Sequence, residues 1–111
     1  MARVALMCPD LLFGSRVEGA LAAAGHSVTR FDSVESARSA ARSADVLVVD
    51  LTDRSFDGTA LGGVDGVPTL GFYSHVEVDT RRAAEAAGFD LVVPRSRMAR
   101  ETAALVERLA A

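Results

Sequence analysis

Asp50 is the residue whose type and position could most directly do chemistry. It falls near the end of Asp45-Val46-Leu47-Val48-Val49-Asp50-Leu51, an almost wholly apolar run rich in β-branched residues, and a polar, glycine-containing loop follows. A carboxylate at a strand end is expected to be exposed and nucleophilic, which makes Asp50 the first candidate for chemistry. The competing expectation is a carboxylate that caps the following turn or pairs with an arginine. In open α/β sheets, ligands gather in the crevice at the carboxyl ends of the strands. The chain brings Asp10, Asp53, Tyr73, Ser74, His75, Arg95 and Arg97 to that same edge. Arg95 or Arg97 is expected to neutralise Asp50, since a guanidinium forms a planar fork suited to a carboxylate; an exposed arginine at a helix start is the plainer alternative. His75 is placed to titrate near neutrality or contact an anion, against the commoner case of an exposed loop histidine. Seven residues, one of them an aspartate, separate Cys8 from Arg16. That is too long and too acidic for a phosphate cradle of the Cys-x5-Arg kind, so a small buried thiol is expected. Cys8, Asp10 and His75 have no recognised metal-ligand spacing, and no cofactor or metal is expected.

These residues must be held by alternating short strands and helices. Arg3 to Cys8 is an apolar run that reads as a first strand, and Phe13, Val17, Ala20, Leu21 and Ala24 then recur at helical spacing before Gly25. His26 to Phe31 mixes polar and apolar positions like a half-exposed edge strand. Asp32 and Glu35 have capping-box spacing ahead of a second helix carrying Val34, Ala37, Ala41 and Ala44. The run ending at Asp50 reads as a central strand buried on both faces. Only a short helix, about two turns, fits before a fourth strand at Val67 to Tyr73. An alanine-rich helix from Glu77 to Ala87, a fifth strand from Phe89 to Pro94 and a last helix from about Ser96 complete the alternation. Such a pattern predicts a parallel sheet with helices on both faces and right-handed crossovers.

Composition narrows the function classes. The 111 residues suit a single compact domain with one core. Half are hydrophobic, and the net charge of −3 argues against a nucleic-acid footprint. All 12 basic residues are arginine and there is no lysine. A single cysteine excludes an intramolecular disulfide. No apolar run approaches membrane-spanning length and no signal-peptide pattern opens the chain, so a cytoplasmic protein without membrane attachment is the expectation. Gly62, Gly63 and Gly66 lack the strand–turn–helix setting of a nucleotide-binding loop.

Over its whole length the chain resembles the receiver domain of two-component response regulators. The match is carried by Asp50 followed seven residues later by Asp57-Gly58, by Pro68 before the fourth strand, by Ala87-Gly88 after the fourth helix and by Val92-Val93 in the fifth strand. The resemblance implies a flavodoxin-like (CheY-like) doubly wound sheet of five parallel strands in the order 2-1-3-4-5, here with a shortened third helix, as one receiver-like domain over 1–111. Receiver chemistry also uses an acidic pair after the first strand to hold Mg²⁺, a hydroxyl residue after the fourth and a lysine after the fifth. The aligned positions here carry Cys8-Pro9, with Asp10 one residue on, then Tyr73 and Pro94, while Arg54 replaces the proline expected after the phosphoacceptor. The chain therefore resembles a degenerate, or pseudo-, receiver. The expected function is a stand-alone, non-enzymatic signalling module that acts by protein–protein contact without phosphorylation. The alternatives are a phosphoryl-accepting regulator using Asp50, or a small-molecule or anion sensor at the carboxyl edge of the sheet. The expected partner is another protein. A homodimer is also expected through the face of the fourth and fifth helices and fifth strand, which carries Arg81, Arg82, Glu85, Glu101 and Arg108.

Overall fold

A computed structural model describes residues 1–52, 57–74 and 78–111, the side chain of Val78 excepted. Five strands, β1 (Arg3–Met7), β2 (Ser27–Phe31), β3 (Val46–Asp50), β4 (Thr69–Tyr73) and β5 (Leu91–Pro94), alternate with helices α1 (Leu11–Ala23), α2 (Val34–Ala41), α3 (Val78–Ala87) and α4 (Arg95–Ala110). All four pairings are parallel and the order is β2-β1-β3-β4-β5. The topology is the expected one: β1, β3, β4 and β5 are largely apolar runs too short to be helices, β2 is the mixed edge strand, and each connection returns across a face of the sheet.

Alternation along each strand divides the core in two. Val4, Leu6, Val46, Val48, Leu70, Phe72 and Val93 face α1 and α4, meeting Phe13, Val17 and Leu21 from one helix and Met98, Leu105 and Val106 from the other. Ala5, Met7, Leu47, Val49, Tyr73 and Val92 face the opposite side, under Ala37 and Ala41 of α2 and Ala84 of α3. The first and last helices thus share a face, and the small alanines let α2 lie close to the sheet. Ala20 and Ala24, which the helical spacing placed on the buried stripe of α1, are exposed; that helix needs only three large apolar residues to cover its part of the sheet.

Two local expectations are corrected. Between β3 and β4 there is no α-helix among the described residues. Two short 3-10 turns, Gly58–Leu61 and Val64–Gly66, bridge the gap. Asp57 caps the first of them, Gly63 stands at φ 69° in the left-handed region before the second, and Asp65 inside it has φ 50°. An α-helix cannot propagate through those conformations. The second correction is the cap of α2: Ser33, not Asp32, accepts the Ser36 N–H, at 3.1 Å.

Candidate functional site

The carboxyl edge of the sheet collects Asp50 from β3, Cys8 and Asp10 from the segment after β1, Tyr73 and Ser74 from β4 and its end, and Arg95 from the first turn of α4. Asp50 does not present itself to solvent. Only 1% of its surface is exposed, and both oxygens are engaged. Oδ1 accepts the Thr52 backbone N–H at 2.8 Å and the Thr52 hydroxyl at 2.5 Å. Oδ2 accepts the Cys8 thiol at 3.6 Å. A threonine two residues on closes a local turn that supplies both donors. The expected exposed nucleophile is therefore a buried, hydrogen-bonded carboxylate.

Cys8 is itself buried. Burial first, and the charge of Asp50 next, push its thiol up to about 12. The sulfur accordingly keeps its hydrogen near neutral pH and shares it between Asp50 and the Asp10 carbonyl, the latter at 3.7 Å. Asp10 caps α1, its Oδ1 accepting the Phe13 N–H at 3.0 Å. Its Oδ2 receives Arg95 Nη2 at 2.8 Å. The Phe13 amide first, and the Arg95 guanidinium next, hold the Asp10 carboxyl below the usual carboxylate range.

The arginines are not where the chain order suggested. Arg95 pairs with Asp10 and lies 4.2 Å over the Phe13 ring centroid, and Arg97 pairs with Glu101 on its own helix at 3.3 Å. Neither touches Asp50. The reason is the fold: α4 packs beside α1, so its first turn reaches the cap of α1 rather than the end of β3. Tyr73 is buried against the α2–α3 side of the core, and Ser74 is half-buried at the mouth of a cleft. Asp53 and His75 lie outside the described residues. His26, at the far end of the sheet, accepts the Ala2 N–H at 3.0 Å and meets Glu107 at 2.8 Å, tying the first residues to α4.

Four residues that carry the site were not legible as site residues. Thr52 supplies two donors to Asp50, and its spacing from the aspartate was the available signal. Arg30 of β2 reaches over the sheet edge to donate to the carbonyls of Cys8 and Asp10 at 3.2 and 3.3 Å. A Cβ at Gly14 would collide with that guanidinium, so glycine in the first turn of α1 makes room for Arg30. Phe13 stacks beneath Arg95 and, at 5.0 Å between ring centroids, against Phe72. Arg16 lines the cleft between α1 and α4.

Neither a family model nor a curated protein matches the sequence. Solved structures do match. The signal receiver domain of the response regulator NarL from Mycobacterium tuberculosis superposes with a TM-score of 0.83 at 21% identity, covering 98% of this chain and 95% of that one. A response regulator from Chloroflexus aurantiacus gives 0.85 at 19%, covering 98% and 97%. The receiver domain of the Francisella response regulator 1452 gives 0.83 at 15%, covering 99% and 97%. The fold is that of a response-regulator receiver domain. In this receiver fold, Pro94 stands in register beside Tyr73 at the end of β5, where the sequence resemblance places the missing lysine. The resemblance also implies Mg²⁺, and the described residues do not fit it. A hard cation needs several free oxygen ligands, whereas Cys8 offers a protonated sulfur and the Asp10 carboxylate is held by Arg95. Among the described residues no group of three histidines, cysteines or carboxylates is arranged to hold a metal ion, and no helix is long and apolar enough to cross a membrane.

Proposed function

We propose that this chain is an atypical receiver that signals by contact with a protein partner and not through phosphorylation of Asp50. The observation that carries the reading is the state of Asp50, 1% exposed with both oxygens engaged by Thr52 and Cys8. Phosphoryl transfer requires an oxygen in line with an incoming phosphorus and cations that offset the transferred charge. Here both oxygens are engaged, and Arg95, the arginine that follows β5, is committed to Asp10. A receiver switches because its ligands bind two conformations with different affinity; without those contacts the crevice stays in one arrangement, and partner binding is constitutive.

Leu11 and Leu12, 76% and 87% exposed at the start of α1, supply apolar contact area for such a partner. A homodimer through α3, β5 and α4 belongs to the same reading. Arg81 pairs with Glu85 at 3.5 Å within α3, and Arg82 and Arg108 make no ion pair among the described residues, leaving them for contacts across a two-fold axis. A monomer by light scattering at roughly tens of micromolar counts against that dimer.

The decisive experiment is a two-dimensional NMR titration with Mg²⁺ and beryllofluoride. The expected result is no saturable shift around Asp50, Thr52 and Tyr73. Saturable shifts there, with a phosphoryl mass gain after incubation with a small phosphodonor, overturn the reading in favour of phosphoryl acceptance at Asp50.

A further inference from the structure

Beside the Asp50 crevice, between the first turns of α1 and α4, lies an open cleft of about 580 Å³. That volume is within the range of small-molecule sites, about 300–1,000 Å³. Leu12, Phe13 and Ala99 form its apolar walls, Ser74 and Ser96 place hydroxyls at its rim, and Arg16 supplies charge. Leu12 and Arg16 stand one helical turn apart, so they face the cleft together. The Arg95 guanidinium is part of the wall but not a free cation, since Asp10 neutralises it. Arg16 is exposed and makes no ion pair among the described residues. Among the described residues the cleft thus offers one uncompensated positive charge beside an apolar surface.

We infer that this cleft binds a small amphipathic monocarboxylate. Its apolar body lies against Leu12, Phe13 and Ala99, and its carboxylate is taken by the Arg16 fork, the geometry guanidinium favours. A single negative charge balances Arg16. A phosphate dianion would leave excess negative charge near Asp10 and Asp50, unscreened by a second free cation among the described residues. Burial of the Leu12 side chain supplies the apolar share of the affinity. None of these contacts uses the Asp50 carboxylate, so the inference goes beyond the phosphorylation-independent reading and does not depend on it.

The test is a backbone-amide NMR titration of the intact chain with 4-phenylbutyrate and with octanoate, run beside the neutral 4-phenylbutyramide. Saturable shifts are expected at Leu12 to Arg16 and Ser96 to Ala99 with both acids. The amide should bind about tenfold more weakly or worse, the loss of a charge-assisted contact. Arg16→Gln, an exposed substitution, should weaken the acids by the same factor and leave the amide unchanged. Ala99→Leu, which fills the cleft, should abolish binding of all three, with a cooperative melt verifying the fold. The inference is overturned by no saturable shift with either acid up to about 10 mM, by equal binding of acid and amide, or by acid binding unaltered in Arg16→Gln. Shifts produced by Mg²⁺ and beryllofluoride at Asp50 would overturn the previous reading while leaving this one standing.

Discussion

Asp10 holds two structures at once, and substituting it two ways separates them. Its Oδ1 caps α1 through the Phe13 N–H at 3.0 Å, and its Oδ2 pairs with Arg95 at 2.8 Å. Losing an N-cap to alanine costs about 1 kcal/mol. The ion pair is partly open, with side-chain exposures of 39% for Asp10 and 38% for Arg95, so solvent limits it to about 0.5 kcal/mol. Asp10→Ala should therefore destabilise by about 1.5 kcal/mol, or roughly 6 °C in Tm for a domain of this size. Asp10→Asn keeps an oxygen for the cap and loses only the charge, so it should cost about 0.5 kcal/mol. Arg95→Gln removes the pair and also the contact over Phe13, for about 1–1.5 kcal/mol. Urea unfolding of these variants and of Asp10→Asn/Arg95→Gln gives the coupling directly, expected at about 0.5 kcal/mol. Equal losses in Asp10→Ala and Asp10→Asn would refute the division into cap and pair. A coupling near zero would show that Arg95 is held by Phe13 alone.

Three further outcomes follow from the same geometry. Cys8, 2% exposed with its thiol pushed up to about 12, should resist a thiol reagent in the native protein near pH 8 and react once urea unfolds it; rapid native labelling would contradict its burial. Gly62→Ala should destabilise by about 1–3 kcal/mol, because the added Cβ meets the Ala87 carbonyl at a negative φ, whereas Gly63→Ala has open space and should lose only about 1 kcal/mol to its left-handed backbone. Asp10 and Asp45 have carboxyls held below their ordinary value, chiefly by the Phe13 and Arg3 amides; their stabilisation is present above about pH 4 and lost as pH falls through the lower folded values. Asp10→Asn should therefore make the acid limb of the stability profile shallower, and an unchanged limb would count against the Asp10 assignment.

The buried strands were legible because parallel strands read as short apolar runs; alternation pointed to a parallel sheet, and the order 2-1-3-4-5 came with the resemblance to receiver domains. What sequence could not supply was lateral distance along the carboxyl edge. Arg95 follows β5, and chain order brings it near Asp50. Only the packing of α4 beside α1 shows that its guanidinium reaches Asp10 instead. The third crossover misled for a local reason: Asp57-Gly58 resembles the opening of a helix, but Gly63 and Asp65 take left-handed conformations that stop one. Asp50 misled in the opposite direction. Its position at a strand end suggested exposure, while Thr52 and Cys8 both carry donors short enough to close over it.

A chain with arginine as its sole cation makes a different crevice from one with a mobile lysine. A lysine is a strongly hydrated point charge on a flexible stem, able to follow a phosphoryl group as it arrives. A guanidinium is planar and satisfied by several acceptors at once, so it holds what it touches. Arg30 spans the Cys8 and Asp10 carbonyls, and Arg95 takes the Asp10 carboxylate while lying on Phe13. The segment after β1 is thereby gripped from two sides, through its backbone by one arginine and through its side chain by the other. Moving it toward a metal at Asp50 would break both sets of contacts and strip the cap from α1. A switch needs two arrangements of comparable free energy. These contacts all stabilise one of them, which is why a ligand is better sought at the α1–α4 cleft than at the aspartate.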